Sequence, residues 1–333
     1  MFNLVLAESY LHDLSPFLLR ISGEIGLRWY GLAYLAGFLV AGQLIARLVK
    51  TGRSPLARRN IDPGSLLTTM VFGVIIGGRL GFALFYQPQV LWTFNASFPF
   101  WELLAIHKGG MASHGGILGV LGASVWFARK NQLGLQDMLY VADLAAFCAP
   151  PGLFFGRLAN FVNAELWGEP LSTQSPPWWS IKYPNEMLPG HPDSVSEVVT
   201  KVAATFPYES STSIHTKLIQ GDLATREAVL PLLTPYWPSQ IFQAITEGPL
   251  LGLILCVAWW RPKRPGTIAA CFLCAYGPLR MLSELVRQPD VGIDRIMGLS
   301  RGQLLSAAMI LAGIALYQMI KKSEVREGGL FPA

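Results

Sequence analysis

Seven apolar stretches, most of them near twenty residues long, constrain the fold of this 333-residue chain more than any other feature. A helix needs about 20 apolar residues to cross the hydrocarbon core of a bilayer. Only 14% of the residues are charged, whereas soluble domains average about 25%. The sequence therefore predicts an all-α integral membrane protein with about seven transmembrane helices, at about 29–49, 65–86, 114–128, 137–156, 240–260, 266–286 and 302–320.

Basic residues follow alternate predicted helices, namely the first, third, fifth and seventh. They are Arg53, Arg58, Arg59, Arg129, Lys130, Arg261, Lys263, Arg264, Lys321, Lys322 and Arg326. Lysine and arginine in short loops mark the cytoplasmic side of a membrane protein. We therefore expect a multi-pass protein with its N-terminus outside and its C-terminus in the cytoplasm.

The two long connections fall on the opposite, extracytoplasmic side. We expect residues 1–168 to hold helices one to four with an arm near 87–111, residues 169–238 to form a small extracytoplasmic insertion, and residues 239–333 to hold helices five to seven and a cytoplasmic tail. In the insertion, 194–206 has the pattern of an amphipathic helix, and 225–233 is a second candidate.

A polar run, Gly156–Gly168, directly follows the fourth apolar stretch. Helical spacing puts Arg157, Asn160 and Asn163 on one face, with Glu165 a turn or more beyond. A charged group at membrane depth costs roughly 2.5–3.5 kcal/mol, so it usually faces a cavity or the bundle interior. An arginine beside amides can bind a phosphate, and a carboxylate can accept a proton. The run predicts a site for an anionic lipid head group; the alternative is an Arg157–Glu165 ion pair that caps the helix.

A second polar group ends the sixth apolar stretch, where Arg280 and Glu284 are spaced to meet on one helix face and Arg287 extends that face. The alternative to a functional role is an intrahelical salt bridge. Both polar groups are predicted on the same outer side, which favours one shared site. Tyr30 begins the first helix on that side, where it is either an interfacial belt residue or an inward hydrogen-bond donor.

The second and third apolar stretches carry one ionisable candidate each. Arg79 is a candidate for contact with a lipid phosphate, and His114 could accept a proton, orient a head group or cap its helix. Glycines at four-residue spacing predict close helix packing around them; they are Gly73, Gly77, Gly81, Gly115 and Gly119.

Two further patterns are better explained by structure than by chemistry. The four cysteines all lie in apolar stretches, and the Cys271–Cys274 pair is more typical of packing than of redox or metal binding. The Gly-x-Ser-x-Gly pattern at 298–302 works as a nucleophile only on a strand-turn-helix. Here it precedes an apolar helix, so Ser300 and Gln303 predict a capping box.

Four segments, taken together, resemble the bacterial phosphatidylglycerol–prolipoprotein diacylglyceryl transferase family: Trp29–Gly31, Gly109–Gly116, Gly156–Gly168 and Arg280–Asp290. The resemblance covers nearly the whole chain apart from 170–236. It implies transfer of a diacylglyceryl group from phosphatidylglycerol to the lipobox cysteine of a preprolipoprotein, with release of glycerol phosphate, at the outer face of the bacterial cytoplasmic (inner) membrane. Phosphatidylglycerol, prolipoprotein signal peptides and membrane lipid are the implied partners, with no metal, organic cofactor or nucleic acid.

The implied chemistry assigns roles to the candidate residues. A thiol with a pKa near 8.5 needs a base at neutral pH, and either Glu165 or His114 could serve. Arg157 and Arg280 would stabilise the charge that develops on the leaving phosphate. The expected substrate-binding residues are Tyr30, Asn160, Gly168, Glu284, Arg287 and Arg79.

The fifth predicted helix departs from the family pattern, because Trp237, Phe242 and Gln243 replace the family's His, Tyr and Glu. Either these positions are supporting or the activity is altered. Two other classes compete. A lipid or solute transporter could line its path with buried charges, but no internal repeat is visible. A purely structural scaffold would leave the buried charges unexplained.

Overall fold

The computed structural model describes residues 9–22, 25–96, 99–106, 110–172, 175–191, 194–288 and 300–331. Five helices within these ranges are long and apolar enough to cross a membrane: Trp29–Lys50, Pro63–Phe85, Leu135–Val162, Ser239–Ala258 and Gly302–Ile320. The chain is therefore a multi-pass membrane protein, as predicted. The third and sixth predicted stretches are also helical, over 18 residues each, and the count of seven spans stays a prediction.

The helices and strands occur in this order along the chain. The helices are α1 (Trp29–Lys50), α2 (Pro55–Arg58), α3 (Pro63–Phe85), α4 (Ser113–Lys130), α5 (Leu135–Val162), α6 (Ser196–Thr205), α7 (Ser211–Ile219), α8 (Leu223–Val229), α9 (Ser239–Ile245), α10 (Leu251–Ala258), α11 (Thr267–Glu284) and α12 (Arg301–Ile320). The strands are β1 (Tyr10–Leu11), β2 (Phe17–Ser22), β3 (Ile25–Arg28), β4 (Ile181–Lys182) and β5 (Pro235–Tyr236). A π-helical turn, Thr246–Leu250, joins α9 to α10.

The described chain divides into two compact units. The first unit contains Met1–Tyr34, Leu153–Gly248 and Pro278–Ser306. In it, β2 and β3 form an antiparallel hairpin, and β4 pairs in parallel with β1 and antiparallel with β5. These strands are additions to the all-α prediction. Most are only two to four residues long, which is too short for an alternating pattern to show in the sequence.

The insertion packs around a small apolar core in the first unit, to which Leu11 of β1 also contributes. The predicted amphipathic helix at 194–206 is confirmed as α6, which buries Val198 and Val202. The candidate at 225–233 corresponds to α8 and a short 3-10 turn after it, while α7 was not predicted. The core residues are Leu11, Met187, Val198, Val202, Ile214, Leu218, Val229 and Leu233.

The second unit contains Leu35–Gly152, Pro249–Gly277 and Ala307–Ala333. Its α3 and α4 pack backbone against backbone, because a Cβ on Gly81 would lie 2.6 Å from the Gly115 Cα and a Cβ on Gly77 would lie 2.6 Å from the Gly119 Cα. The predicted role of these glycines in close helix packing is confirmed. At this separation even a methyl group has no room.

The start of α12 confirms the predicted capping box. The Ser300 backbone N–H donates to Gln303 Oε1 at 3.0 Å, and the Gln303 N–H donates to Ser300 Oγ at 3.1 Å. Each side chain thus satisfies a backbone donor of the first helical turn. The serine of the Gly-x-Ser-x-Gly pattern is therefore a helix cap.

A buried carboxylate caps α11. Asp143 on α5 is 1% exposed, and its two oxygens accept from the backbone N–H groups of Gly266 at 2.7 Å and Ala269 at 2.8 Å. The first backbone N–H groups of a helix have no partner within the helix, and a carboxylate is favoured there by the helix dipole. Asp143 thus holds the beginning of the helix whose later residues include Arg280 and Glu284.

We expect Asp143→Ala to lower the free energy of unfolding by about 1–3 kcal/mol, because it leaves two buried N–H groups without an acceptor. The measurement is thermal unfolding of the purified protein in detergent. Asp137→Asn is the matched control on the same helix, since Asp137 pairs at 2.7 Å with a partly exposed Arg59 and such pairs contribute little. Equal transition temperatures for Asp143→Ala and the wild type would contradict the capping role.

Candidate functional site

A cluster of ion pairs between mostly buried side chains lies in the first unit, with the fully buried Glu247 at its centre. The Glu247 carboxylate is 0% exposed and accepts from Arg157 Nε at 3.0 Å and Arg157 Nη2 at 3.4 Å. Its Oε1 also lies 3.9 Å from Arg280 Nε. One carboxylate therefore orients two guanidinium groups that come from different helices, α5 and α11.

The cluster continues along α11, as the spacing of its charged residues predicted. Arg280 Nη1 lies 2.6 Å from Glu284 Oε2, and Arg287 Nη1 lies 3.8 Å from Glu284 Oε1. Ser300 Oγ donates to the same Glu284 carboxylate at 3.4 Å. Glu284 thus links the end of α11 to the start of α12.

The guanidinium cluster, defined as Arg157, Glu247, Arg280, Glu284 and Arg287, has three positive and two negative side chains. Its formal charge is therefore one net positive, and none of its side chains is more than 16% exposed. An electrostatic attraction is stronger in such a low-dielectric setting than in water. A monoanionic phosphodiester has the charge that would neutralise the cluster.

A second group joins Tyr30, Asn160 and Glu165. The Tyr30 hydroxyl contacts Glu165 Oε2 at 2.7 Å and also donates to Asn160 Oδ1. Because a hydroxyl carries one proton, it can serve only one of these two acceptors at a time. Asn160 follows Arg157 by three residues on α5, which brings this group beside the guanidinium cluster.

The backbone around Glu165 is unusual. Ala164 and Leu166, on either side of it, have φ values of 52° and 58°, a left-handed conformation that costs about 1 kcal/mol or more for a residue other than glycine. Two side chains of α9 hold this turn: Gln240 Nε2 donates to the Glu165 carbonyl at 2.6 Å, and Ser239 Oγ donates to the Leu166 carbonyl at 2.8 Å. The turn leaves the Glu165 side chain exposed.

Gly168 has a packing role in the structure. Its segment pairs antiparallel with that of Arg287, through Glu169 N–H to the Val286 carbonyl at 3.0 Å and Gln288 N–H to the Trp167 carbonyl at 3.1 Å. A Cβ on Gly168 would lie 2.6 Å from the Trp237 Cβ. Only glycine lets these three segments meet, so Gly168 positions Arg287.

Two predicted site residues belong to the second unit. Arg79 is buried, and its guanidinium donates to the carbonyls of Leu103 at 2.7 Å, Glu102 at 2.6 Å and Gly110 at 2.9 Å. It therefore holds the arm near 87–111 in place. His114 lies in the first turn of α4, and its side chain lies outside the described residues. Within the described ranges, no three His, Cys, Asp or Glu side chains are grouped as metal ligands.

Glu247, the centre of the cluster, was not among the residues predicted for the site. The sequence did contain a signal for this residue, because Glu247 is a carboxylate within the apolar stretch 240–260. A buried charge is costly unless it is paired, so an ionic partner was to be expected. Gln240 and Ser239 were also missed as residues that hold the Glu165 turn. Their role depends on the fold of a distant segment and has no pattern of its own.

For the diacylglyceryl transfer that the resemblance implies, we expect Glu247→Gln to lower kcat by about tenfold or more, because an amide presents an N–H₂ donor to guanidinium groups that need an acceptor. Since the net charge of the site rises by one, KM for an anionic lipid should not increase. The measurement is steady-state kinetics of purified protein. Glu197→Gln, an exposed carboxylate paired with Lys201 on α6, is the control. A large rise in KM with unchanged kcat would contradict this positioning role.

The chain is similar to known proteins over nearly its whole length. The prolipoprotein diacylglyceryl transferase family profile matches residues 16–319. The chain belongs to this family. Proteins named phosphatidylglycerol–prolipoprotein diacylglyceryl transferase are similar to it over nearly their whole length. The one from Bdellovibrio bacteriovorus is 40% identical over 92% of each chain, and the one from Cereibacter sphaeroides is 37% identical over 91% of this chain and 95% of its own. The Caulobacter vibrioides protein is 36% identical over 94% of each.

Two of the three residues near the start of α9 that depart from the pattern implied by the resemblance, Trp237 and Phe242, make aromatic contacts. The Trp237 ring lies 4.7 Å from that of Trp179 and 5.9 Å from that of Phe242, measured between centroids. These aromatic pairs join the insertion to α9 within the first unit. Gln243 is fully buried. Trp237 and Phe242 therefore form an aromatic contact at two positions where the resemblance implies polar side chains.

Proposed function

We propose that this transferase-family member moves the diacylglyceryl group of phosphatidylglycerol to the lipobox cysteine of prolipoprotein signal peptides. The observation that carries the proposal is the buried guanidinium cluster with one net positive charge, beside an exposed carboxylate held by Tyr30. The guanidinium groups can bind a phosphodiester, and the carboxylate can accept a proton. Membership of the family supports the same reaction.

The proposed reaction needs only the two substrates and a base that accepts one proton. The cysteine sulfur attacks the diacylglyceryl carbon that bears the phosphate, a carbon–sulfur bond forms, and the carbon–oxygen bond to the phosphate breaks. The thiol proton passes to a base, and glycerol phosphate leaves. The phosphate gains a second negative charge as that bond breaks, so fixed guanidinium groups stabilise the transition state more than the ground state.

Arg157 and Arg280 are the proposed charge-stabilising residues. Both are mostly buried, with side chains 16% and 12% exposed, and both are held by carboxylates, so little reorganisation is needed as charge develops. Arg287, Glu284 and Asn160 orient them or the head group. In this proposal Arg79 acts indirectly, because its three hydrogen bonds to carbonyl groups support a structural role.

Glu165 is the proposed base. Its side chain is exposed to an incoming thiol, and its carboxylate contacts the Tyr30 hydroxyl at 2.7 Å. The strained turn around it supports this role, since residues held in rare backbone conformations cluster at active sites. His114 remains the alternative base, and the variant comparison below separates the two.

The decisive assay uses the purified protein in vesicles with labelled phosphatidylglycerol and a lipobox peptide. We expect release of glycerol phosphate and a thioether-linked peptide. A transporter would instead move lipid between leaflets without turnover. A peptide in which the lipobox cysteine is replaced by serine is the control, and glycerol phosphate release that does not depend on the cysteine would overturn the proposed acceptor.

The proposed location is the bacterial cytoplasmic membrane, with the N-terminus outside and the C-terminus inside. The basic residues after alternate predicted helices support this orientation. A reporter fused after Lys322 should be active in the cytoplasm, and one inserted within residues 190–220 should be active outside. The opposite pattern would place the guanidinium cluster at the wrong leaflet for the reaction.

A further inference from the structure

The second unit contains a cavity of about 440 Å³ whose lining includes three basic residues. It lies where α10 ends, α11 begins and α12 ends, and it is lined by Lys263, Arg264 and Arg326. No carboxylate is among its lining residues in the described chain. The positive charges come from two segments that are distant in sequence, so their convergence is a product of the fold.

Backbone pairing holds these segments together. Lys263 forms an isolated antiparallel bridge with Glu327, and the two N–H to carbonyl distances are 3.1 and 2.8 Å. The Glu327 carboxylate pairs with Arg58 at 2.6 and 2.9 Å. The acidic residue that follows Arg326 in the chain therefore already has a cationic partner. Arg264 is fixed through Nε, which donates to the Ser323 carbonyl at 2.7 Å. This contact holds Arg264 in the lining of the cavity.

The remaining lining is mostly small and apolar. Ala270, Cys271 and Cys274 belong to one stretch of α11, Ala258 ends α10, and the Tyr317 ring comes from α12. The cavity therefore has basic residues on one side and apolar residues on the other, at the end of membrane helices. This lining suits an amphiphile with an anionic head group. Basic pockets between transmembrane helices on the cytoplasmic side are known to bind lipid head groups.

We propose that this cavity binds an anionic phospholipid, with its phosphate between Lys263, Arg264 and Arg326 and an acyl chain along α11 beside Cys271 and Cys274. The basic loops predict that these helix ends lie at the cytoplasmic interface. The bound lipid is therefore a structural or regulatory ligand in that leaflet. The residues that line the cavity include none of the guanidinium cluster, and the proposal does not depend on the reaction.

The native cysteines provide a local measurement. Cys271 and Cys274 line the cavity, whereas Cys256 on α10 does not. The full-length protein is placed in nanodiscs of phosphatidylcholine alone or with added phosphatidylglycerol, and N-ethylmaleimide alkylation of each cysteine is followed by peptide mass spectrometry. We expect the anionic lipid to slow alkylation of Cys271 and Cys274 at least about fivefold, with little change at Cys256.

Charge variants test whether the head group is recognised. A double variant, Lys263→Gln with Arg326→Gln, should lose the protection. Lys321→Gln with Lys322→Gln removes two exposed charges that do not line the cavity and should keep it. An unchanged rate at Cys256 shows that each variant is folded, and the two lipid compositions test the wild type without any variant.

Three results would overturn the proposal. Equal alkylation in both lipid compositions would show that no anionic head group is bound. Equal loss of protection in both double variants would show that general surface charge, and not the cavity, causes the slower alkylation. Protection by inorganic phosphate in nanodiscs of phosphatidylcholine alone would identify a site for soluble phosphate.

Discussion

Glu165→Gln is expected to lower kcat/KM for the lipobox peptide by at least about 10²-fold, the scale of losing a general base. Glutamine keeps the size of the side chain and can still contact the Tyr30 hydroxyl, but it cannot take the thiol proton. The residual rate of the variant should rise roughly tenfold per pH unit below the thiol pKa of about 8.5, because the thiolate then has to form without help. The measurement is peptide lipidation as a function of pH.

The control for this variant is Glu227→Gln, which changes an exposed carboxylate on α8. Its activity should match that of the wild type, and immunoblotting should show equal protein levels. If Glu165→Gln retained near-normal activity while His114→Gln lost it, His114 would be the base. If the residual rate of Glu165→Gln did not depend on pH, Glu165 would be a structural residue.

Arg157→Lys is expected to lower kcat/KM by about 10²-fold although the charge is kept. The guanidinium makes a two-nitrogen contact with Glu247 at 3.0 and 3.4 Å, and lysine offers a single point charge that cannot hold that contact and a phosphate together. Removing one preorganised charge-stabilising group typically lowers the rate by about this factor. The measurement is glycerol phosphate release from phosphatidylglycerol vesicles.

Arg59→Lys is the matched control, because Arg59 forms a partly exposed ion pair with Asp137 and such pairs contribute little. Its activity should be unchanged. Near-normal turnover by Arg157→Lys would show that Arg157 only anchors its helix. Thermal unfolding of the variant separates lost chemistry from a destabilised fold, since breaking a buried ion pair costs about 3–5 kcal/mol.

The sequence alone determined the membrane class and the local pairings. Apolar length and low charge predict helices that cross a bilayer, because the hydrocarbon core admits backbone only when its hydrogen bonds are made internally. Spacing within one helix predicted the contact between Arg280 and Glu284 and the capping box of Ser300 and Gln303. Both are interactions over three or four residues, which helical geometry fixes without any tertiary information.

The contacts between residues far apart in sequence depend on how the helices pack. Arg157 and Glu247 are ninety residues apart, and the sequence offered Glu165 as the nearest acid for an ion pair with Arg157. The Gln240 contact to the Glu165 carbonyl and the Asp143 cap of α11 span 75 and 123 residues. Local periodicity does not encode such distant contacts, because they depend on how the helices pack. The sequence therefore supplied the charged groups of the site, and the packing of the helices determined which of them act together.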